Sequence, residues 1–331
     1  MARFVLFGRS PASELDADPV SDRPDWVQAN PARIERSLAH ARSLPSGGWA
    51  VLDASDRIDA PRGFTVAGRA LVAWRTPDGA LRVAPEACPH MGASLCDGHV
   101  DRDGRVVCPW HGLALGDRAR GDWAPLTTHD DGVLAWVRMP ELLAPGEAPT
   151  DAPILTARPR SFMSGVIRME ARCEPRDIIA NRLDPWHGAH YHPHSFLRLH
   201  VIDEDVTQLT VRVVYKVLGP LAMEVDARFD CPDPRTIVMT ILRGDGVGSV
   251  VETHATPIDE GRSAVIEATL ATSDRMLFPF VRKLSGLARP MIEARAARLW
   301  VEDKAYAERT YALRRRSEGE RTPQRLRVVT Q

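Results

Sequence analysis

Short apolar runs separated by turn residues predict a β-rich first half of the chain. The strand-like runs lie at 49–52, 64–66, 70–74, 81–85 and 106–107. A Thr-Pro-Asp-Gly segment at 76–79 is a typical connection between two strands. The last two runs each lead directly into a loop that contains a cysteine. We therefore predict an all-β domain over residues 45–140.

Longer apolar runs alternate with turns in the second half, a pattern that favours an antiparallel sheet. Strands are predicted at 166–170, 206–217, 222–230, 235–243, 248–256 and 263–271. Helices are predicted at 31–43, over most of 174–190 and at 277–316, where Pro290 begins or breaks a segment. Strands and helices segregated in this way predict an α+β fold class.

A stretch rich in proline and alanine, residues 141–160, is predicted to connect two domains. A polar leader over 1–44 precedes the β domain. The second domain is expected over 161–316, followed by a basic tail over 317–331.

Composition narrows the class of protein without identifying it. The chain has 331 residues, of which 44% are hydrophobic and 26% charged, with a formal net charge of -1. These values are ordinary for a globular protein and do not favour a nucleic-acid partner. No apolar run approaches the roughly 18 residues of a transmembrane segment, and the apolar N-terminal stretch is too short for a secretory signal. With five cysteines, an odd and sparse number, we expect a cytoplasmic protein.

Two loops offer a mixed set of metal ligands. Cys88 and His90 lie in the first loop, and Cys108 and His111 lie in the second; seventeen residues separate His90 from Cys108. In a Rieske cluster, one iron takes two cysteines and the other takes two histidines. A zinc site with two cysteines and two histidines is the alternative. Zinc fingers pair like with like and usually place the histidines on a helix, so the mixed halves after strands favour the Rieske cluster.

The segment 48–140 resembles the Rieske family, in the form Cys-x-His, seventeen residues, Cys-x-x-His. Rieske proteins of respiratory complexes carry one more cysteine in each loop, and those two cysteines form a disulfide. Ala93 and Trp110 stand at the corresponding positions here. The resemblance is therefore to the lower-potential domain of oxygenases.

A second constellation is a cluster of five histidines within fourteen residues. Its members are His187, His190, His192, His194 and His200. A mononuclear non-heme iron that activates oxygen needs two histidines and one carboxylate on one face. His190 and His194 have the i,i+4 spacing of a helical pair, but Pro193 argues against regular helix between them.

The segment 181–192 contains Asp-x-x-His-x-x-x-x-His and resembles the iron-binding motif of Rieske non-heme iron oxygenases. The resemblance implies that His187 and His192 are iron ligands and that Asp184 is the aspartate that links this iron to a Rieske histidine of a neighbouring subunit. Asn181 matches a polar residue beside the iron. Asp303 is the third ligand on the same ground, with Glu302 as the alternative; both acids would otherwise belong to a solvated helix face.

The resemblance also implies an architecture and a reaction. An N-terminal Rieske domain would precede an antiparallel-sheet, helix-grip (START-like) catalytic domain, in a homotrimer of the type with α subunits alone. The cofactors would be a [2Fe-2S] cluster and mononuclear Fe(II), with dioxygen as co-substrate. The outcome would be hydroxylation, demethylation or desaturation of a bulky hydrophobic substrate.

Partners and pocket residues follow from smaller signals. No Gly-x-Gly-x-x-Gly follows a strand, so electrons must come from a separate NAD(P)H-dependent reductase, a ferredoxin or both. Within 282–331, thirteen basic residues outnumber six acids, and the cluster at 314–316 is either a ferredoxin docking face or part of a solvated tail.

Candidates for an apolar pocket are Trp186, Phe196, Leu197, Phe278 and Phe280. The alternative function is a Rieske electron-transfer protein whose second domain binds a ligand without catalysis.

Overall fold

The computed structural model describes residues 4–6, 29–218, 221–274, 278 and 285–321. Most of the predicted leader, the start of the predicted final helix, Phe280 and the end of the basic tail lie outside the described residues. None of the helices in the described ranges combines the length and apolarity needed to span a bilayer.

The N-terminal domain consists of three small antiparallel sheets. The strands are β2 (Trp49–Ala54), β3 (Arg62–Val66), β4 (Arg69–Arg75), β5 (Leu81–Pro85), β6 (His99–Val100), β7 (Val106–Val107), β8 (Ala114–Leu115), β9 (Thr128–Asp130) and β10 (Leu134–Arg138). They pair in the orders β2-β10-β9, β3-β4-β5 and β6-β7-β8. The prediction of an all-β domain is confirmed.

The C-terminal domain is built on one antiparallel sheet. Its strands are β1 (Phe4–Leu6), β11 (Met163–Ala171), β12 (Phe196–Glu204), β13 (Gln208–Leu218), β14 (Leu221–Asp233), β15 (Thr236–Gly244), β16 (Val250–Asp259) and β17 (Arg262–Ala271). They pair in the order β11-β17-β16-β15-β14-β13-β12, with β1 paired to β14. The described ranges include the α-helices α1 (Pro31–Ser43), α2 (Pro175–Arg182), α3 (Trp186–Tyr191) and α4 (Ser285–Arg321). The predicted α+β class is confirmed.

The two faces of the sheet pack against different partners. Along β17, Val265 and Glu267 face the helices, whereas Ile266 and Ala268 pack against the N-terminal domain. Alternate side chains of a strand point to opposite faces, so this strand is buried on both sides. The sheet therefore lies between the N-terminal domain and α4.

A buried ion-pair network ties the interdomain connection to both domains. Arg158 forms two hydrogen bonds to Glu252 of the sheet, at 2.6 and 2.7 Å, and an ion pair of 2.9 Å to Asp131 of the N-terminal domain. Burial alone would raise the pKa of Glu252, but hydrogen bonds from Arg158 and His254 lower it to about 2. Ion pairs, in addition to the covalent chain, therefore hold the interdomain connection to both domains.

The helical segments depart from the predicted pattern in three places. The span predicted as mostly helical is divided into α2 and α3, because the chain leaves helical geometry before Pro185. Pro290 lies inside α4 rather than at a break, and α4 continues to Arg321 instead of ending at 316.

The basic cluster at 314–316 is not wholly exposed, because Arg314 forms ion pairs within the fold. Its guanidinium pairs with Glu174 at 2.8 Å and with Asp177 at 2.9 Å, and 18% of its side chain is exposed. These two acids form the capping box at the start of α2. Arg314 therefore fastens α4 to α2 and is not a free docking charge.

Candidate metal centres and cavity

The two loops with the mixed ligand set have the same backbone shape. In the first loop, the N–H of Cys88 donates to the carbonyl of Ala93, and the N–H of Gly92 donates to the carbonyl of Cys88, both at 2.8 Å. Cys108 repeats this pattern with the residues that follow it, at 2.9 and 3.0 Å. Gly92 has a φ of 77°, and its counterpart has a φ of 71°, a region that favours glycine. Each loop is therefore a closed turn that presents two side chains together.

The thiols of these loops are buried and the imidazoles are exposed. Cys88 and Cys108 are 3% and 2% exposed, and the rings of His90 and His111 meet edge to face with 4.8 Å between centroids. Backbone N–H groups of the loops reach both sulfur atoms. Buried thiolates for one iron, surface imidazoles for the other and N–H donors toward sulfur fit a [2Fe-2S] cluster. All five cysteines are free, so no disulfide links the two loops.

A second group of ligands meets between α3 and α4. His187 lies in the first turn of α3, His192 follows its last residue, and Asp303 projects from α4. The Oδ1 atom of Asp303 lies 2.9 Å from Nε2 of His187 and 2.8 Å from Nε2 of His192. Ligand atoms about 2.1 Å from one ion at right angles are roughly 3 Å apart. Two imidazoles and a carboxylate on one face fit a mononuclear iron with open positions.

The outer nitrogens of both imidazoles are engaged by the chain. Nδ1 of His187 donates to the backbone carbonyl of Asp184, and Nδ1 of His192 donates to the Glu302 carboxylate. Such contacts fix the tautomer and leave Nε2 free to bind a metal. Glu302, the alternative third ligand, thus lies on the outer side of His192, whereas Asp303 lies on the inner side.

Charge and burial act against each other at Asp303. Burial raises the pKa of this carboxyl, but hydrogen bonds from His187 and His192 outweigh it, and the net pKa lies well below its ordinary range. Burial also lowers the pKa of His192, and the Asp303 and Glu302 carboxylates raise it further than burial lowers it. The carboxylate is therefore charged at neutral pH, as a metal ligand must be.

Asn181 and Asp184, the two other residues implied by the family motif, flank this group. The amide of Asn181 donates to Oδ1 of Asp303 at 3.1 Å, while its own Oδ1 is buried and has no hydrogen-bond partner among the described residues. One oxygen of Asp184 accepts a hydrogen bond of 3.0 Å from the Tyr306 hydroxyl, and the other is likewise buried with no partner in the described ranges. Both unpartnered oxygens mark places where a further group would be accommodated.

Tyr306 was not singled out from the sequence. Its ring stacks on His187 with 5.0 Å between centroids, and its hydroxyl donates to Asp184. Burial raises the pKa of Tyr306 above its ordinary range, so the hydroxyl remains a donor. Its position three residues after Asp303, on the same helix face, was the available signal.

The remaining histidines of the cluster lie outside the group of three ligands. His190 is exposed on α3, and His200 is half-buried on β12. Nδ1 of His194 lies 3.8 Å from Glu302, on the outer side of the site. Among the described residues, the group of ligand atoms that could hold one metal ion consists of His187, His192 and Asp303 and does not include the i,i+4 pair His190 and His194.

A cavity of about 520 Å³ opens next to these ligands, between α4 and the sheet. Its walls are mostly apolar side chains, and His187, His192 and Asp303 stand on one side of it. Of the pocket candidates named from the sequence, Phe196 and Phe278 line the cavity, whereas Trp186 is packed in the core and Leu197 is 36% exposed. An apolar cavity with a few polar groups is the usual form of a small-molecule site.

Comparison with known proteins finds one family match for the N-terminal domain and another for the C-terminal domain. Residues 48–137 match the Rieske [2Fe-2S] domain, and residues 144–318, more than half of the chain, match the family described as Domain of unknown function (DUF5914). A 74-residue segment is 38% identical to the vanillate O-demethylase oxygenase subunit of Pseudomonas sp. (strain HR199 / DSM 7063). That segment is 22% of this chain and 21% of the relative.

The chain belongs to the family described as Domain of unknown function (DUF5914), and it carries a Rieske [2Fe-2S] domain before that region. Solved structures of two oxygenases share its fold. Dicamba monooxygenase bound to dicamba aligns with a TM-score of 0.58 at 18% identity, over 83% of this chain and 90% of that one. The oxygenase of carbazole 1,9a-dioxygenase, in complex with ferredoxin, aligns with a TM-score of 0.55 at 14% identity, over 89% and 90%. At these identities the likeness concerns the fold.

Proposed function

We propose that this chain is an oxygenase that uses dioxygen and externally supplied electrons to hydroxylate, demethylate or desaturate a mostly apolar organic substrate. One observation carries the proposal. His187, His192 and Asp303 meet at an apolar cavity, in the same chain as a Rieske domain. The expected boundaries, 45–140 for the Rieske domain and 161–316 for the catalytic domain, are part of this proposal.

Each residue has a defined part in the proposal. Cys88, His90, Cys108 and His111 hold the [2Fe-2S] cluster, and His187, His192 and Asp303 hold Fe(II). Bound there, the ferrous ion would supply the capacity to bind and reduce dioxygen. Asn181 keeps the Asp303 carboxylate oriented through its amide hydrogen bond. The apolar walls keep bulk water away from the reacting end of the substrate.

The proposed arrangement of subunits rests on two observations. Near the cluster ligands His90 and His111, Met91 and Trp110 are 63% and 61% exposed. One buried oxygen of Asp184 has no partner within the described part of the chain. We propose a homotrimer in which the cluster edge of one subunit docks at Asp184 of the next. Electrons would reach the cluster from a ferredoxin, an NAD(P)H-dependent reductase or both.

A cytoplasmic location is part of the proposal and is supported by the five free cysteines, since reducing compartments keep thiols unpaired. The same conditions preserve the two thiolates that a cluster needs.

Oxygen consumption tests the proposed reaction. The iron-loaded protein is supplied with NADH, a ferredoxin reductase and a ferredoxin, and apolar aromatic and alicyclic compounds are added one at a time. We expect oxygen uptake that requires a compound and yields a product labelled from ¹⁸O₂ or a dealkylated or desaturated product. His187→Ala is expected to abolish uptake while leaving cluster reduction intact. Reduction of the cluster without compound-dependent uptake across the panel would favour the electron-transfer alternative.

A further inference from the structure

Glu267 is a buried carboxyl residue that lines the cavity and has no part in the proposed iron site. Glu267 lies on β17, on the face of the sheet that forms the cavity floor, and is 6% exposed. Several other lining positions of the sheet are apolar, among them Val225 on β14 and Met239 on β15. A buried carboxyl in such surroundings is costly unless its oxygens are hydrogen-bonded.

Only one of the two carboxyl oxygens is occupied by the protein. Oε2 accepts a hydrogen bond of 2.6 Å from Nε1 of Trp300 and one of 3.3 Å from the Thr253 hydroxyl. The Arg182 guanidinium lies 3.9 Å from the same atom. No hydrogen bond from the described residues reaches Oε1, although Glu267 lines the cavity. Oε1 is thus a carboxyl oxygen on the cavity wall that the described residues leave available to a ligand.

The groups that hold Glu267 in place are themselves fixed. Arg182 lies over the rings of Phe229 and Trp300, at 5.8 and 6.0 Å from the ring centroids. Trp300 is 1% exposed, and among the described residues Glu267 is the one hydrogen-bond acceptor that its N–H reaches. A neutral side chain would satisfy Trp300 equally well, so the second oxygen of a glutamate is not needed for packing.

The charges around Oε1 restrict what it can bind. Burial raises the pKa of Glu267, and the Asp303 carboxylate raises it further, while Arg182 opposes both. An anionic substrate group would meet two carboxyls here, and a cationic one would meet Arg182 and the metal. A neutral hydroxyl avoids both repulsions and can either donate to Oε1 or accept from it.

We propose that Glu267 is the specificity residue of the cavity, and that its Oε1 hydrogen-bonds a neutral hydroxyl on an otherwise apolar substrate. This inference rests on the proposed function, because it assumes that the cavity is the substrate site. It names the substrate class more closely: a bulky hydrocarbon skeleton with a hydroxyl group set apart from the carbon that is oxidised.

Binding of a matched pair of probes tests the inference without turnover. The anaerobic, iron-loaded protein is titrated by equilibrium dialysis with 4-hydroxybiphenyl and with biphenyl. A hydrogen bond of about 1.4 kcal/mol corresponds to about a tenfold difference in Kd. We expect the wild type to bind the hydroxylated probe about tenfold more tightly, and Glu267→Leu to reduce that preference to about twofold or less.

Two further variants separate recognition from folding. Glu267→Gln keeps a hydrogen-bonding group toward Trp300 and the cavity and is expected to retain most of the preference. Thr269→Val changes a polar side chain on the same strand and the same cavity wall, and is expected to leave the preference unchanged. Melting temperature and cluster absorbance report whether each variant folds. If Glu267→Leu does not fold, the inference is tested by the ratio of the two Kd values in the wild type and by the same ratio in Glu267→Gln.

Several results would overturn the inference. These are equal binding of the two probes by the wild type, binding of neither, full preference in Glu267→Leu, or an equal loss in Thr269→Val. The outcome is separable from that of the proposed function. Oxygen uptake without hydroxyl preference would refute Glu267 alone, whereas hydroxyl preference without any oxygen uptake would refute the oxygenase reaction alone.

Discussion

Glu302 offers the sharpest test of the proposed iron site, because it stands next to Asp303 in sequence but on the outer side of His192. In the structure its carboxylate accepts the Nδ1–H of His192, and 32% of its side chain is exposed. We therefore expect Glu302→Ala to weaken iron binding without removing it, whereas Asp303→Ala should remove a ligand. If Glu302 were the third ligand, the two effects would be reversed.

The expected loss of iron affinity in Glu302→Ala can be estimated because Glu302 hydrogen-bonds the outer nitrogen of the iron ligand His192. Removing an outer partner of a metal-bound histidine typically costs about 10- to 100-fold in metal affinity. That range corresponds to about 1.4 to 2.7 kcal/mol of binding free energy. Loss of a ligand itself should cost more, so Asp303→Ala is expected to fall outside this range. Partial exposure of Glu302 favours the lower end for Glu302→Ala.

The assay is competition of the anaerobic protein with a chelator for Fe(II), with cluster absorbance as an internal measure of folded protein. Glu308→Gln is the matched control, since Glu308 lies on the same helix and contacts Lys304 and the Arg172 backbone. Unchanged iron affinity in Glu302→Ala, or an equal loss in the control, would refute the assignment. So would retention of iron by Asp303→Ala with loss in Glu302→Ala.

Three further predictions concern the surroundings of the site. Tyr306→Phe keeps the ring but removes the hydrogen bond to Asp184; we expect an unchanged iron content, about 1 kcal/mol less stability and slower electron transfer to the iron in single-turnover experiments. Gly98→Ala would place a Cβ 2.2 Å from a backbone oxygen next to the cluster loops, so we expect loss of cluster absorbance, unlike Gly286→Ala, which meets nothing within 4 Å. Glu252 has a pKa of about 2 in the fold against an ordinary 4.5, so its contribution to the unfolding free energy should be complete above about pH 4.5 and vanish as the pH falls toward 2, with a flatter pH dependence in Glu252→Gln.

The strands of the C-terminal sheet were largely predictable, because their apolar residues alternate or run continuously. The run predicted at 206–217 is the strand Gln208–Leu218, and the other predicted strands of that sheet agree to within three residues at each end. In the N-terminal domain, the short strands β6, β8 and β9 and the longer strand β10 were not predicted. Strand β12 was missed for a physical reason. It lies at the edge of the sheet, its pairing with β13 shifts register twice, and exposed Leu197 and Ile202 break the alternation of buried and polar positions.

The site was predictable only where its residues are close in sequence or where a family pattern connects them. The spacing of His187 and His192 pointed to a local pair, but nothing in periodicity relates them to Asp303, more than a hundred residues later. Adjacent acids on a helix point in directions about 100° apart, so choosing between Glu302 and Asp303 required the packing of α4. Glu267 likewise carried no signal, because alternation on β17 does not reveal which face borders a cavity.

Quantification of iron and acid-labile sulfide in the purified, reconstituted chain tests the central claim of two metal centres most directly. The wild type is predicted to hold about three irons and two sulfides per chain, and His187→Ala about two of each, because the cluster takes two irons and the mononuclear site one. A wild type with full sulfide but only two irons, or a His187→Ala variant that keeps the third iron, would contradict the account.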